Sequence, residues 1–143
     1  MLLKLLAAGL LVAATVCLHA VGLAGLLRAR LGWHGPPPSG FWPATWMLIR
    51  ATWCLILLHV IEICVWGLFY VCSGSLPDAQ KAFYFSGITY TTVGYGDVVL
   101  PERWQLLGAI EGLTGILMCG LSTGFFFAVV SRLLNRAATA THS

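Results

Sequence analysis

The chain has 143 residues, of which 59% are hydrophobic and only 9% charged, and its mean hydropathy is +0.87. A soluble domain of this length has no interior large enough to hide so much apolar surface, so composition excludes the soluble class and points to a bilayer. The net charge of +3 comes from dispersed basic residues and forms no patch, which excludes nucleic acid as an expected partner.

Residues 1–30 read as an N-terminal transmembrane helix. Leu2 to Leu27 exceeds the ~20 apolar residues that cross roughly 30 Å of hydrocarbon. It also exceeds the roughly 7–15 apolar residues of a signal peptide, and "LHA" is a poor cleavage site, so the span is expected to be retained. His19 within it is expected to be hydrogen-bonded at a helix interface.

Residues 31–45 follow as a linker. The stretch "GWHGPPPSGFWPATW" holds four prolines and three glycines and is expected to be extended and free of helix. Residues 46–71 then form a second span that carries His59 and, one turn on, Glu62. The segment 78–90 is too short to span and too polar at its start, so it is expected to be a re-entrant helix whose backbone lines a cavity. In "SLPD", Ser75 suits the cap, Pro77 the first turn, and Asp78 the positive end of the helix dipole.

Residues 91–97 read "TTVGYGD", and residues 104–134 form the third span. A short tail, 135–143, closes the chain. Arg28, Arg30 and Arg50 flank the first connection, and Arg132 and Arg136 follow the last span. The connection holding Asp78, Lys81, Asp97, Glu102 and Arg103 is net acidic. The positive-inside rule therefore puts the linker and the C-terminus in the cytoplasm, and the N-terminus and the "TTVGYGD" loop on the opposite side of the cell membrane. Trp33, Trp42 and Trp46 at one interface, and Trp66 and Trp104 nearer the other, fit aromatic belts.

With this loop between a short helix and flanking spans, the chain from about Thr52 to Leu134 resembles the two-transmembrane potassium-channel pore domain, whose filter reads TVGYG. The resemblance implies an all-α membrane fold: outer helix 46–71, re-entrant pore helix 78–90, filter 92–96 and inner helix 104–134, preceded here by one extra helix. It implies that Thr92, Val93, Gly94, Tyr95 and Gly96 coordinate dehydrated K+, with Thr91, Asp97, Tyr84 and Phe85 as support. Positive φ is cheap only for glycine, and Gly94 and Gly96 supply it where consecutive carbonyls must face one axis. Val93 and Tyr95 are expected to point away and wedge the loop against the pore helix, where Tyr84 and Phe85 meet them. One loop cannot surround an ion, so a C4 homotetramer in the lipid bilayer is implied.

Three features depart from or add to the family pattern. An acidic residue that some members place four positions before the filter threonine is Ile88 here, so Asp97 needs another partner. Gly115 lies near the family's inner-helix hinge, yet Gly108 with Gly112, and Gly120 with Gly124, form small-xxx-small pairs that serve close packing; for Gly115 both roles stand. Glu62, His59 and Glu111 fall at the depth of the filter, as a polar cluster that titrates and gates or one that braces the pore helix.

No segment repeats arginine as a voltage sensor does, and no soluble sensor domain is expected in the chain. No His/Cys/Glu spacing suggests a metal site, and no nucleophile with a base suggests an enzyme. No cofactor is expected beyond K+ as the permeant ion. The function expected is passive, potassium-selective conduction; the alternatives are a non-conducting regulatory membrane subunit and a potassium transporter component.

Overall fold

The computed structural model describes residues 2–31 and 40–140, and among them there is no strand. In chain order these form α1 (Leu2–Leu31), α2 (Phe41–Cys72), α3 (Ala79–Tyr90), a single 3₁₀ turn (Glu102–Trp104) and α4 (Gln105–Ala140). α1, α2 and α4, with 30, 32 and 36 residues, each contain a segment long and apolar enough to cross a membrane. The 12 residues of α3 reach only about 18 Å, too short for a crossing.

Helix boundaries differ from the expected ones where local chemistry is permissive. α2 starts at Phe41, so it takes in residues assigned to the linker. Gly40 precedes it at φ 113°, and Pro43 sits in the first turn, where a missing N–H costs nothing. The rest of the linker, residues 32–39, and the last three residues of the tail lie outside the described residues. α4 continues past Leu134 to Ala140 through "NRAATA", which contains no helix breaker.

The cap of α3 is Asp78 and not Ser75. The Asp78 carboxylate accepts from Gln80 N at 2.9 Å and Lys81 N at 3.4 Å. Ser75 instead donates to Tyr70 O at 3.1 Å, closing the end of α2.

α3 lies between α2 and α4, while α1 packs across both α2 and α4. Lipid tails are as apolar as leucine, so helices associate here through close packing and polar contacts, not through hydrophobic burial. Glycines set the closeness on the face of α4 toward α3. A Cβ added to Gly108, Gly112 or Gly115 would stand 3.3 Å from Phe85 Cζ, 3.4 Å from Thr89 O and 2.0 Å from Tyr90 O. Phe85 fills the space opened at Gly108 and meets the edge of Tyr70 at 5.3 Å between centroids.

Two contacts fix α1. Lys4 Nζ donates to Arg103 O at 2.7 Å and stands 5.1 Å from the centre of the Trp104 ring, so the start of α1 and the start of α4 share one end of the bundle. Trp66 Nε1 donates to Thr15 Oγ1 at 3.0 Å and the indole is fully buried. Trp66 therefore belongs to the α1–α2 interface and not to an aromatic belt, because the extra helix covers it.

Candidate functional site

The site grows out of the C-terminal end of α3. Thr91 N donates to Gly87 O at 3.2 Å and its hydroxyl donates to the same carbonyl at 2.7 Å. Thr92 N then reaches Thr89 O at 2.9 Å, and Gly94 N reaches Ile88 O at 3.0 Å, which folds the next residues back beneath the helix end. From there φ alternates in sign: Thr92 is at 61°, Gly94 at 50° and Gly96 at 79°, while Val93 and Tyr95 keep negative φ. Alternation of hand turns consecutive peptide planes so that their oxygens present to one side. Thr92 adopts this conformation without being glycine, at a cost of roughly 1–2 kcal/mol, the kind of strain that collects at functional sites.

Thr91 to Asp97 are exposed throughout. Val93 and Tyr95 are 51% and 73% exposed within one chain, so their own chain leaves much of both side chains uncovered. Phe85 does not meet them, since it is buried against Tyr70 and Gly108. Tyr84 does reach the loop. Its hydroxyl donates to Asp97 Oδ2 at 2.8 Å, which supplies the partner that Ile88 cannot. The accepting carboxylate raises the Tyr84 phenol above its ordinary range.

Behind the loop, two buried carboxylates hold one face of α3. Ser86 and Tyr90, four residues apart, lie on that face. The Tyr90 hydroxyl donates to Glu62 Oε2, and His59 Nδ1 lies 3.1 Å from the same oxygen. His19 Nδ1, from α1, lies 2.9 Å from Glu62 Oε1. Ser122 Oγ, from α4, stands 3.0 Å from His59 Nε2 and 3.4 Å from His19 Nε2.

Glu111 sits in a second network and not with His59 and Glu62. Tyr70 OH donates to its Oε2 at 2.6 Å, and Ser86 Oγ lies 2.6 Å from its Oε1. Tyr70 is eight residues beyond Glu62 on α2, about 12 Å along the helix, which separates the two groups. The Ser86 hydroxyl, with a single hydrogen, also faces Ile63 O at 2.8 Å. The inventory closes when Glu111 is the neutral acid: it donates to Ser86, and Ser86 donates to Ile63. A neutral carboxyl also avoids burying a charge.

Sequence reasoning placed Glu62 and His59 together but missed His19 and Ser122 as partners. Their separations of 43 and 63 residues from Glu62 and His59 leave no local signal. Gly115, against the Tyr90 carbonyl, is where α4 supports the junction between α3 and the loop.

Chemically, the arrangement offers a row of backbone and hydroxyl oxygens at the end of a helix whose C-terminal dipole favours cations. The ion-channel family model matches residues 55–132, more than half of the chain. Over 108 residues the chain is 32% identical to the G protein-activated inward rectifier potassium channel 3 of Mus musculus, Rattus norvegicus and Homo sapiens, an alignment that covers 69% of this chain and 26% of theirs. It is 33% identical over 100 residues to two-pore potassium channel 4 of Arabidopsis thaliana, covering 63% of this chain and 32% of that protein. The chain thus spans a quarter to a third of the length of these relatives. No solved structure matches it significantly. The matched stretch holds most of α2, all of α3, the loop and most of α4, and leaves α1 outside.

Proposed function

The chain belongs to the ion-channel family and carries its potassium-channel pore domain within a multi-pass membrane protein; from this we propose that it conducts K+ passively as a homotetramer. The observation that carries the proposal is the sign alternation of φ at Thr92, Gly94 and Gly96 within TVGYG, at the C-terminal end of α3. Four such loops around one axis replace the hydration shell of K+ with carbonyl oxygens, and four helix ends turn their negative dipoles toward the same axis. The exposure of Val93 and Tyr95 supports the assembly, because neighbouring copies would cover apolar side chains that their own chain leaves bare.

The membrane orientation follows from charge. Arg28 and Arg132 are exposed at the ends of their spans and Arg50 is exposed in the first half of α2, all toward the end opposite to Lys4 and Arg103. The positive-inside rule then puts the C-terminus in the cytoplasm and the filter mouth outside.

The test is the reversal potential of the purified protein in a planar bilayer with K+ on one side and Na+ on the other. A potential near the potassium limit, lost in Tyr95→Asp, is the expected result. A potential near zero in the parent protein refutes selectivity. Silence at every voltage and pH favours the non-conducting subunit instead.

A further inference from the structure

Ion conduction gives no role to the buried knot where all four helices meet behind Tyr90. His19 is 1% exposed, Glu62 0% and His59 19%. One imidazole nitrogen from each histidine and one oxygen of Glu62 lie within 4.8 Å of one another. The two imidazoles approach the carboxylate from either side, His19 Nδ1 lying 2.9 Å from Glu62 Oε1 and His59 Nδ1 lying 3.1 Å from Oε2. We propose that His19, His59 and Glu62 form a binding site for a divalent transition-metal ion, zinc by its donor set, which clamps α1 to the pore domain.

Ligand chemistry selects the ion class. Two imidazoles with one carboxylate suit zinc and its first-row neighbours, whereas K+, Mg2+ and Ca2+ prefer all-oxygen shells. In a tetrahedral zinc site with bonds of about 2.0–2.1 Å, ligand atoms stand ~3.4 Å apart. The three candidate ligand atoms, all within 4.8 Å of one another, lie close enough to draw together to that spacing around one ion. Three protein ligands leave a fourth position, as in other His₂Glu sites.

Hydrogen counting in the surroundings supports the same occupant. Tyr90 already gives its hydrogen to Glu62. Without a metal, and with Glu62 ionised, each Nδ1 carries a hydrogen toward a carboxylate oxygen, which leaves both Nε2 atoms as acceptors aimed at Ser122. Ser122 has one hydrogen and serves only one of them. With a metal on both Nδ1 atoms the hydrogens move to Nε2, and the two lone pairs of Ser122 Oγ accept both. Such outer hydrogen bonds fix the tautomer of metal-binding histidines. The other occupant that completes the network is an additional proton, on one imidazole or on the Glu62 carboxyl, and the experiment separates metal from proton.

The clamp is independent of the pore assignment. His19 lies on α1, outside the stretch that matches the ion-channel family. A bound ion would join α1 to α2 at the level where α3 passes into the loop.

The test is a Co2+ titration of the full-length chain in detergent, after chelator treatment, read by visible absorption. The expected result is a saturable ligand-field band at one Co2+ per chain, displaced by Zn2+, with a Zn2+-dependent rise in melting midpoint. His19→Gln and His59→Gln should each abolish the band, and Ser122→Ala should weaken binding by roughly 10–100-fold without abolishing it. Helical circular dichroism and size exclusion check that the variants fold. The titration of the parent chain decides alone if they do not: no saturable band overturns the proposal and leaves the extra proton as occupant. A near-ultraviolet thiolate band would assign the ion to the free cysteines and overturn it equally, as would a His19→Gln variant that binds like the parent.

Discussion

Replacing Gly115 with alanine sets two effects of opposite sign against each other. Helix propensity alone favours alanine by about 1 kcal/mol in the interior of α4. Against it, the new Cβ would stand 2.0 Å from Tyr90 O, 2.8 Å from Tyr90 C and 3.0 Å from Tyr90 Cα. All three atoms are backbone, so no rotamer change relieves the contact. Reaching an ordinary separation of ~3.5 Å requires a local shift of about 1.5 Å between α4 and the end of α3. Overpacking of a filled interior costs roughly 1–3 kcal/mol, and a backbone obstacle belongs at the upper end of that range. The net expectation is a loss of about 2 kcal/mol per chain. Because Tyr90 leads directly into Thr91 and Thr92, the shift should also disturb the loop. The assay is the melting midpoint by circular dichroism in detergent, paired with the K+ against Na+ reversal potential. Gly9→Ala, inside α1 where the new Cβ would meet nothing within 4 Å, is the control: it should keep the propensity gain as a slightly raised midpoint and leave the reversal potential unchanged. A Gly115→Ala midpoint equal to or above that of the parent would refute the packing account. Altered opening with an unchanged midpoint would instead identify Gly115 as a hinge.

Gly94→Ala meets no atom within 4 Å but must hold φ 50°, so its cost is conformational, about 1–2 kcal/mol per loop. It should preserve the folded helices and lose K+ over Na+ selectivity, as read by reversal potential. Glu111→Gln should fold with a midpoint close to the parent's, because an amide still accepts from Tyr70 and donates to Ser86. Glu111→Leu should lose about 1–3 kcal/mol, because the buried Tyr70 hydroxyl is left without its acceptor while Ser86 keeps Ile63 O, visible as a lower midpoint. Tyr84→Phe removes the 2.8 Å bond to Asp97 and should hasten the decay of current during sustained opening. The Tyr84 phenol is raised by its bond to Asp97, so the contact persists below its ordinary value near ~10 and is lost as pH climbs through the raised one. Single-channel records in the parent should therefore show no Tyr84-dependent change across the neutral range and a change only in strong alkali.

By itself the sequence determined the class of the protein and the chemistry of its loop, because both are local. The length of an apolar run is read directly against the thickness of a bilayer. The two glycines of TVGYG mark where positive φ is cheap, and the structure has them at 50° and 79°, while Thr92 at 61° was not legible as a third such position. The shortness of the third helix was equally legible. Sequence could not show helix phase, and phase decides partners. It put Glu111 beside Glu62, yet the turns of α2 and α4 carry Glu111 to Tyr70 and Ser86. It placed Phe85 at the loop, although Gly108 opens a space that draws the ring into the core. It assigned Trp66 to a membrane interface, which the packing of α1 over Thr15 turned into an interior. The gathering of His19, His59, Glu62, Tyr90 and Ser122 was the least legible of all. Only His59 and Glu62 share a helical spacing, and it takes the crossing of four helices at one depth to bring the other polar atoms within hydrogen-bonding reach.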